Sequence, residues 1–266
     1  MENLIMIKWG GSLITNKNKP LTPNIGIIKS LVKQIKEIRE IKPELKIILG
    51  HGSGSFGHSI AAKYQTRDGI KNNVDWIGFS QVWYAVRALN IIVTRALNDL
   101  GIPSITFPPS ALIKASGGIG VDYFRFPFDT ILSTNILPVV HGDVVFDEDL
   151  GGTILSTEDI FLFLADFYQP EKIYLAGIEK CIWEDFPENK KPIKKISPKN
   201  FLKLQDKIGG SSNVDVTGGM FAKVKLMVDL VTKFPNLKVN IFSGTSPEGL
   251  KQEILGQSTG TVIEME

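Results

Sequence analysis

Two stretches of the 266-residue chain have the residue types needed to handle an anion: Lys8-Trp9-Gly10-Gly11-Ser12 and Gly50-His51-Gly52-Ser53-Gly54-Ser55-Phe56-Gly57-His58. Each follows a short apolar run, residues 4–7 and 46–49, and each leads into a helical pattern. Glycine lets backbone N–H groups come close to a phosphate, and a helix N-terminus adds partial positive charge. A lysine at the mouth of such a loop suits phosphoryl transfer, whose loose, charged transition state is stabilised by positioning and electrostatics. Lys8 fills that description, with a solvated strand-end lysine as the alternative. Gly10, Gly11 and Ser12 would offer backbone donors to the phosphate, or make only a tight turn.

Neither stretch is a standard nucleotide fingerprint. The first lacks the spacing G-x-x-x-x-G-K-[ST]. The second contains Gly52-x-Gly54-x-x-Gly57, but the acid expected roughly 20 residues on, after a strand, is missing, since Asp75 precedes a helix. His58 lies about one turn into the helix opening near Ser55, within reach of the same anion or of a local hydrogen bond. His51, earlier in the loop, suits a structural role. His141-Gly142-Asp143 ends another strand, where Asp143 would orient Lys8 or a metal-bound phosphate, or cap a turn. Lys17 sits in a polar loop among Asn16, Asn18 and Lys19. Lys223, in the first turn after Gly218-Gly219, repeats the order of glycines, helix start and lysine and would hold the outer phosphates of a nucleotide.

The elements that must position these residues follow from periodicity. Thr22-Pro23 predicts a helix start, with Ile25, Ile28, Leu31, Val32, Ile35 and Ile38 on its buried face. A long helix is expected over residues 76–100, its apolar side carrying Phe79, Val82, Trp83, Val86 and Leu89. Trp76, Phe79, Trp83 and Tyr84 would line an apolar pocket or pack as helix core. Strands are expected at 104–107, 136–140, 172–176, 239–242 and near 261–263, with a hairpin pairing 144–146 with 153–155. Ser156 or Thr157 caps a further helix, residues 183–199 form an exposed excursion, and residues 220–234 form the last long helix. This alternation predicts an α/β protein with a largely parallel central sheet, which binds ligands at the carboxyl ends of its strands. Lys8, the 50–58 loop and His141–Asp143 would then share one edge.

The bulk composition removes other classes. Thirty Lys and Arg against 28 Asp and Glu leave a net charge of +2, which excludes general nucleic-acid binding. Cys181 alone cannot form an intramolecular disulfide, and with His51, His58 and His141 it offers no zinc-site pattern. No apolar run approaches the roughly 20 residues that span a bilayer, and the first residues have no secretory-leader pattern. A cytoplasmic protein with neither membrane nor nucleic-acid partner is expected.

Lys8-x-Gly-Gly-Ser-x-x-Thr-x-Lys17, Gly52-x-Gly-Ser-Phe-Gly-His58, Gly142-Asp143 and Asp215-Val-Thr-Gly-Gly-x-x-x-Lys223 together resemble the isopentenyl phosphate kinases of the amino acid kinase superfamily, over nearly the whole chain. The Gly-Ser-Phe-Gly-His element is the most discriminating, since amino-acid-directed members lack that histidine. The resemblance implies an open αβα sandwich and one amino acid kinase-like domain over residues 1–266, with an acceptor-binding lobe to about 150 and a nucleotide-binding lobe from about 151. It implies a homodimer, Mg2+ and ATP, and transfer to the phosphate of isopentenyl phosphate.

By position, the resemblance makes Lys8, Lys17, His58, Asp143 and Glu158 catalytic. It puts Ser53, His58 and Gly142 on the acceptor, and Lys8, Gly10, Gly11, Ser12, Gly54, Asp159, Gly219 and Lys223 on the nucleotide, with no metal held by the protein itself. Two segments depart from the family. Ser156-Thr157-Glu158-Asp159 replaces Ser-Gly-Asp-Asp, so the carboxylate organising the lysines would be Glu158, or Asp159 if the register slips. Ala176-Gly177-Ile178-Glu179-Lys180 replaces a Thr-Asp-Val-Asp-Gly segment near the nucleotide. A fosfomycin-type phosphonate kinase and a catalytically weak ligand-binding member of the fold are the alternatives.

Overall fold

The two apolar runs that precede the glycines become adjacent parallel strands, β1 (Leu4–Trp9) and β2 (Lys46–His51), with Lys8 opposite Gly50. The computed structural model describes residues 2–208 and 219–266. Between these strands lie a single turn, α1 (Gly11–Ile14), and α2 (Ile25–Ile41), which buries Ile28, Leu31, Val32, Ile35 and Ile38. The helix starts later than Thr22-Pro23 suggests, because Pro23 forms a bridge with Thr15 and Asn24 takes the N-cap.

After β2 come α3 (Gly54–Tyr64) and the long α4 (Asn73–Asp99). A capping box sets the start of α4: the Asn72 side chain accepts from the Val74 and Asp75 amides, and Asp75 accepts from the Asn72 amide. The chain continues through β3 (Ser104–Thr106), α5 (Pro109–Leu112), β4 (Ile113–Ser116), β5 (Ile119–Tyr123), α6 (Arg125–Leu132) and β6 (Leu137–His141). The expected hairpin forms as β7 (Asp143–Asp147) and β8 (Gly151–Leu155), followed by α7 (Thr157–Tyr168). β4 and β5 escape sequence patterning because both are short and β5 is largely exposed. They join the hairpin in a four-stranded sheet of order β5-β4-β7-β8. A lobe division at residue 150 would fall inside that hairpin, which pairs Asp147 with Gly151.

The last part holds β9 (Lys172–Gly177), β10 (Ile182–Trp183), β11 (Pro192–Ile193), β12 (Lys195–Ile196), α8 (Pro198–Ile208), α9 (Gly219–Lys233), β13 (Lys238–Ser243), α10 (Gly249–Ile254) and β14 (Thr261–Ile263). The segment 183–199 is less exposed than its charge suggests. Ile193 and Ile196 are buried, and β12 pairs with β14. Gly218 and Asp215, named in the sequence motifs, lie outside the described residues.

The main sheet has the order β12-β14-β13-β9-β1-β2-β6-β3, and β13 and β14 pair antiparallel while β13, β9, β1, β2, β6 and β3 run parallel. One core packs α2 and α4 on one face, through Leu31, Ile35, Leu89 and Val93. The other packs α7 and α9 on the opposite face, through Phe161, Leu164, Met227 and Val231. The result is a three-layer αβα sandwich. From β1 the chain builds outward through β2 and β6 on one side and through β9 and β13 on the other. Lys8 therefore ends a strand at the switch point, where open α/β sheets form a binding crevice.

Candidate active site

The two glycine loops meet at this crevice. A Cβ on Gly52 would lie 2.7 Å from the Gly11 nitrogen, and one on Gly11 would lie 2.7 Å from the Gly54 Cα, so no side chain fits between the backbones. Hydrogen bonds lock the contact. The Gly52 N–H donates to the Trp9 carbonyl at 3.0 Å. The Thr15 hydroxyl donates to the Gly11 carbonyl at 2.7 Å and accepts from the Ser55 amide at 3.0 Å. Gly54 has φ +51°, a left-handed conformation that a side chain would strain. Ser53 is the N-cap residue of α3; the Ser55 amide donates to Thr15, the Phe56 amide to the Ser53 carbonyl, and the Gly54 nitrogen lies at the contact with Gly11. Ser12 lies half-buried in α1, on the other side of the contact.

Lys8 forms an ion pair with Glu158, both side chains less than a tenth exposed. The register of α7 decides which acid does this. The Ser156 hydroxyl accepts from the Asp159 amide at 3.1 Å, and the Asp159 carboxylate accepts from the Ser156 amide at 2.8 Å. Asp159 is thus held by the helix cap and by Arg67 at 3.4 Å, leaving Glu158 to face Lys8. Burial disfavours the Glu158 carboxylate, but the fields of Lys8 and Lys223 outweigh it and hold its pKa below the usual range. Burial, joined by the Lys223 cation, lowers the Lys8 ammonium below an ordinary lysine despite the attraction of Glu158. Lys223, in the first turns of α9 after Gly219, is therefore within electrostatic reach of both groups.

Gly142 and Asp143 depart from their expected roles. The Thr157 hydroxyl donates to the His51 carbonyl at 2.7 Å and accepts from the Gly142 amide at 3.0 Å. That amide also reaches the His51 carbonyl at 3.2 Å. The Gly142 N–H thus ties β6 to β2 and α7 and is not left for an acceptor phosphate. Asp143 does not pair with Lys8. Its carboxylate lines a 420 Å³ cavity with Trp83, Arg87, Asn90 and His141, and lies 3.8 Å from the His141 Nδ1. Burial, partly offset by the Val144 amide, raises the Asp143 carboxyl to about 7. His51 and His141 stack with ring centroids 5.3 Å apart. Burial lowers them to about 4 and about 3, so both rings are neutral at pH 7.

His58 is exposed on the second turn of α3, and Lys17 is exposed in the loop before α2. Beside α3 stands an apolar wall of Phe79, Val82, Val86 and Val144, with Ile60, Ile70, Trp83 and Ile154 packed against it. Trp76 and Phe146 extend it through ring contacts with Phe79 at 5.3 and 5.2 Å. Tyr84 is not part of this wall, being 74% exposed on another face of α4. Sequence reasoning names Thr157 only as a candidate helix cap, not as the link between His51 and Gly142, and misses Asn90 altogether. The capping box that begins at Ser156 was the one local signal that could have placed Thr157 at the helix entrance.

A sequence profile of the amino acid kinase family matches residues 3–243. The isopentenyl phosphate kinase of Methanocaldococcus jannaschii is 30% identical over 98% of this chain and 98% of its own. A crystal structure of the Thermoplasma acidophilum isopentenyl phosphate kinase superposes with a TM-score of 0.78 at 25% identity, covering 98% of this chain and 100% of the other. An X-ray structure of another isopentenyl phosphate kinase reaches a TM-score of 0.81 at 25% identity, covering 98% and 99%. With the facing glycine loops and the buried lysine–carboxylate pair at the switch point, these likenesses place the chain in the amino acid kinase family, among the isopentenyl phosphate kinases.

Proposed function

We propose that this kinase transfers the γ-phosphoryl group of ATP to the phosphate of isopentenyl phosphate, forming isopentenyl diphosphate and ADP. The observation that carries the reading is a juxtaposition. An anion-binding loop bearing an exposed histidine, His58, adjoins an apolar cluster whose outer rings, Trp76 and Phe146, are exposed and offer a surface to a short hydrocarbon. The names of the full-length relatives support the same acceptor.

In this reading the Ser53 amide and His58 hold the acceptor phosphate, with Gly54 on the nucleotide side, and one of the acceptor's oxygens attacks the γ-phosphorus as the bond to ADP breaks. Gly10, Gly11, Ser12, Gly219 and Lys223 hold the nucleotide, Lys8 and Lys17 stabilise the transferring group, and Glu158 orients Lys8. Asp159 contributes through the cap of α7. The acceptor lobe runs through the β7–β8 hairpin and the nucleotide lobe begins with α7. Mg2+ carried in with ATP would supply charge neutralisation at the phosphates, alongside Lys8, Lys17 and Lys223. Among the described residues no three His, Cys, Asp or Glu side chains converge on a metal site, and Glu158 and Asp159 are engaged by Lys8 and the helix cap. A homodimer in the cytoplasm completes the proposal. Its supports are the exposed apolar face of α4 and the free, buried Cys181.

The test is ADP release with isopentenyl phosphate, dimethylallyl phosphate and fosfomycin as acceptors. Turnover should be highest with the isoprenoid phosphates, and His58→Ala should remove it while ATP binding survives. A folded protein that turns over none of the three would sink the kinase reading, and a preference for fosfomycin would move the acceptor to a phosphonate.

A further inference from the structure

The acceptor loop is braced from behind by a buried relay that the reaction itself does not use. Asn90 on α4 is 5% exposed, and its side-chain nitrogen lies 3.0 Å from the His51 Nε2. The Asn90 oxygen accepts from the Thr106 hydroxyl at 2.8 Å. His51, fully buried at the end of β2, has its Nδ1 3.1 Å from the Gly52 carbonyl oxygen.

These contacts leave one consistent assignment of protons. Asn90 presents its oxygen to the hydroxyl of Thr106 and its NH2 to the ring, so the His51 Nε2 must accept. A neutral imidazole then carries its proton on Nδ1 and donates it to the Gly52 carbonyl. The Gly52 N–H is meanwhile held by the Trp9 carbonyl. Both ends of Gly52 are thus tied inward.

The consequence falls on the next amide. Among the described residues the only cis peptide bond is Phe186-Pro187, so the Gly52–Ser53 bond is trans. A trans peptide is planar, with its carbonyl and N–H pointing in opposite directions. Pulling the Gly52 carbonyl toward the His51 ring therefore turns the Ser53 N–H away from the ring. Glycine on one side makes the plane easy to flip without that restraint.

We propose that His51 and Asn90 are positioning residues, whose relay to the Gly52 carbonyl aims the Ser53 N–H at the acceptor phosphate. The proposal rests on the reading that the 52–54 loop binds that phosphate.

Four single variants, one double variant and one spectrum test it. His51→Phe keeps a ring to stack on His141 but cannot donate to Gly52. It should raise KM for isopentenyl phosphate at least about tenfold, the scale of one lost hydrogen bond to a charged group, with KM for ATP nearly unchanged. Asn90→Leu should shift the acceptor KM in the same direction, and the double variant should be less than additive, as for members of one network. His51→Asn places an amide nitrogen near the Nδ1 position and should recover most of the acceptor affinity. His51→Gln, which reaches instead toward the Nε2 position, should not. A role confined to stability would lower the thermal midpoint and leave the ratio of the two KM values unmoved.

Equal change in both KM values, or no rescue by asparagine, would overturn the proposal. If His51→Phe does not fold, Asn90→Leu and the Asn and Gln replacements decide alone. A long-range 1H–15N spectrum of the wild-type His51 ring reads the tautomer without any acceptor. Protonation at Nε2 would overturn the relay even in an active enzyme. Failure of every phosphate acceptor with a ring still protonated at Nδ1 would sink the functional reading and leave the relay standing.

Discussion

Lys8, at the end of the first strand, is neutralised in the interior by Glu158, in the first turn of α7. Glu158→Gln would leave the buried lysine beside Lys223 without its counter-charge. Breaking a buried ion pair from one side costs about 3–5 kcal/mol. We expect that loss in chemical denaturation, together with a fall in kcat of about a hundredfold, the scale of one misplaced electrostatic group. Glu158→Asp keeps the charge one methylene short and should fold with an intermediate kcat. Full activity in Glu158→Gln would remove Glu158 from the reaction.

The contact between the glycine loops predicts a separate behaviour. Gly11→Ala would drive a methyl into the Gly54 backbone. The loops must part to admit it, and a misplacement of about 1 Å in a positioned site is worth about a hundredfold in rate. The variant is expected to lose at least that much kcat/KM. A Gly11→Ala enzyme with wild-type kinetics would show that the contact is not needed for transfer.

Acid stability should depend on Asp143 in a particular direction. Its carboxyl is raised to about 7, against about 3.9 in an unfolded chain. Its stabilising contribution is therefore complete below about pH 3.9 and is lost as pH rises through 7. His51 and His141 are lowered to about 4 and about 3. Their contributions are present above the unfolded value of about 6.5 and are lost as pH falls toward their folded values. Two histidines oppose one carboxyl, so these groups should weaken the protein on acidification by about 1.4 kcal/mol per pH unit between about 6.5 and 4. Asp143→Asn removes the opposing carboxyl and should roughly double that slope. Urea denaturation at about pH 6.5, 5.5 and 4.5 measures the difference, and parallel curves for the two proteins would contradict it.

The outer face of α4 predicts the assembly. Ile77, Tyr84 and Ile91 recur at heptad spacing and are 53%, 74% and 53% exposed, close to the edge strand β3 with Ile105 at 42%. The exposed stripe on α4, taken by itself, suits packing against a second copy. Light scattering behind a sizing column should give a dimer for the wild type and a monomer for Tyr84→Glu. A monomeric wild type would refute the dimer.

Much of this protein was legible from the chain alone, because the signals were local. Apolar runs ending in glycine mark β1 and β2, 3.6-residue spacing marks α2 and α4, and glycine content marks the two loops as candidates for binding an anion. The helix begins after Thr22-Pro23 because Pro23 is held by Thr15, and β4 and β5 leave no sequence pattern because both are short and β5 is largely exposed. What the sequence determined by itself was which segments carry strand, helix and anion-binding chemistry, since periodicity and glycine content are properties of a single segment. Only the tertiary structure decided that Glu158 rather than Asp159 reaches Lys8, that Asp143 turns into a cavity with His141, and that Asn90 braces His51. Each of those outcomes is a distance between groups far apart in the chain, set by how α7 and α4 settle on the sheet.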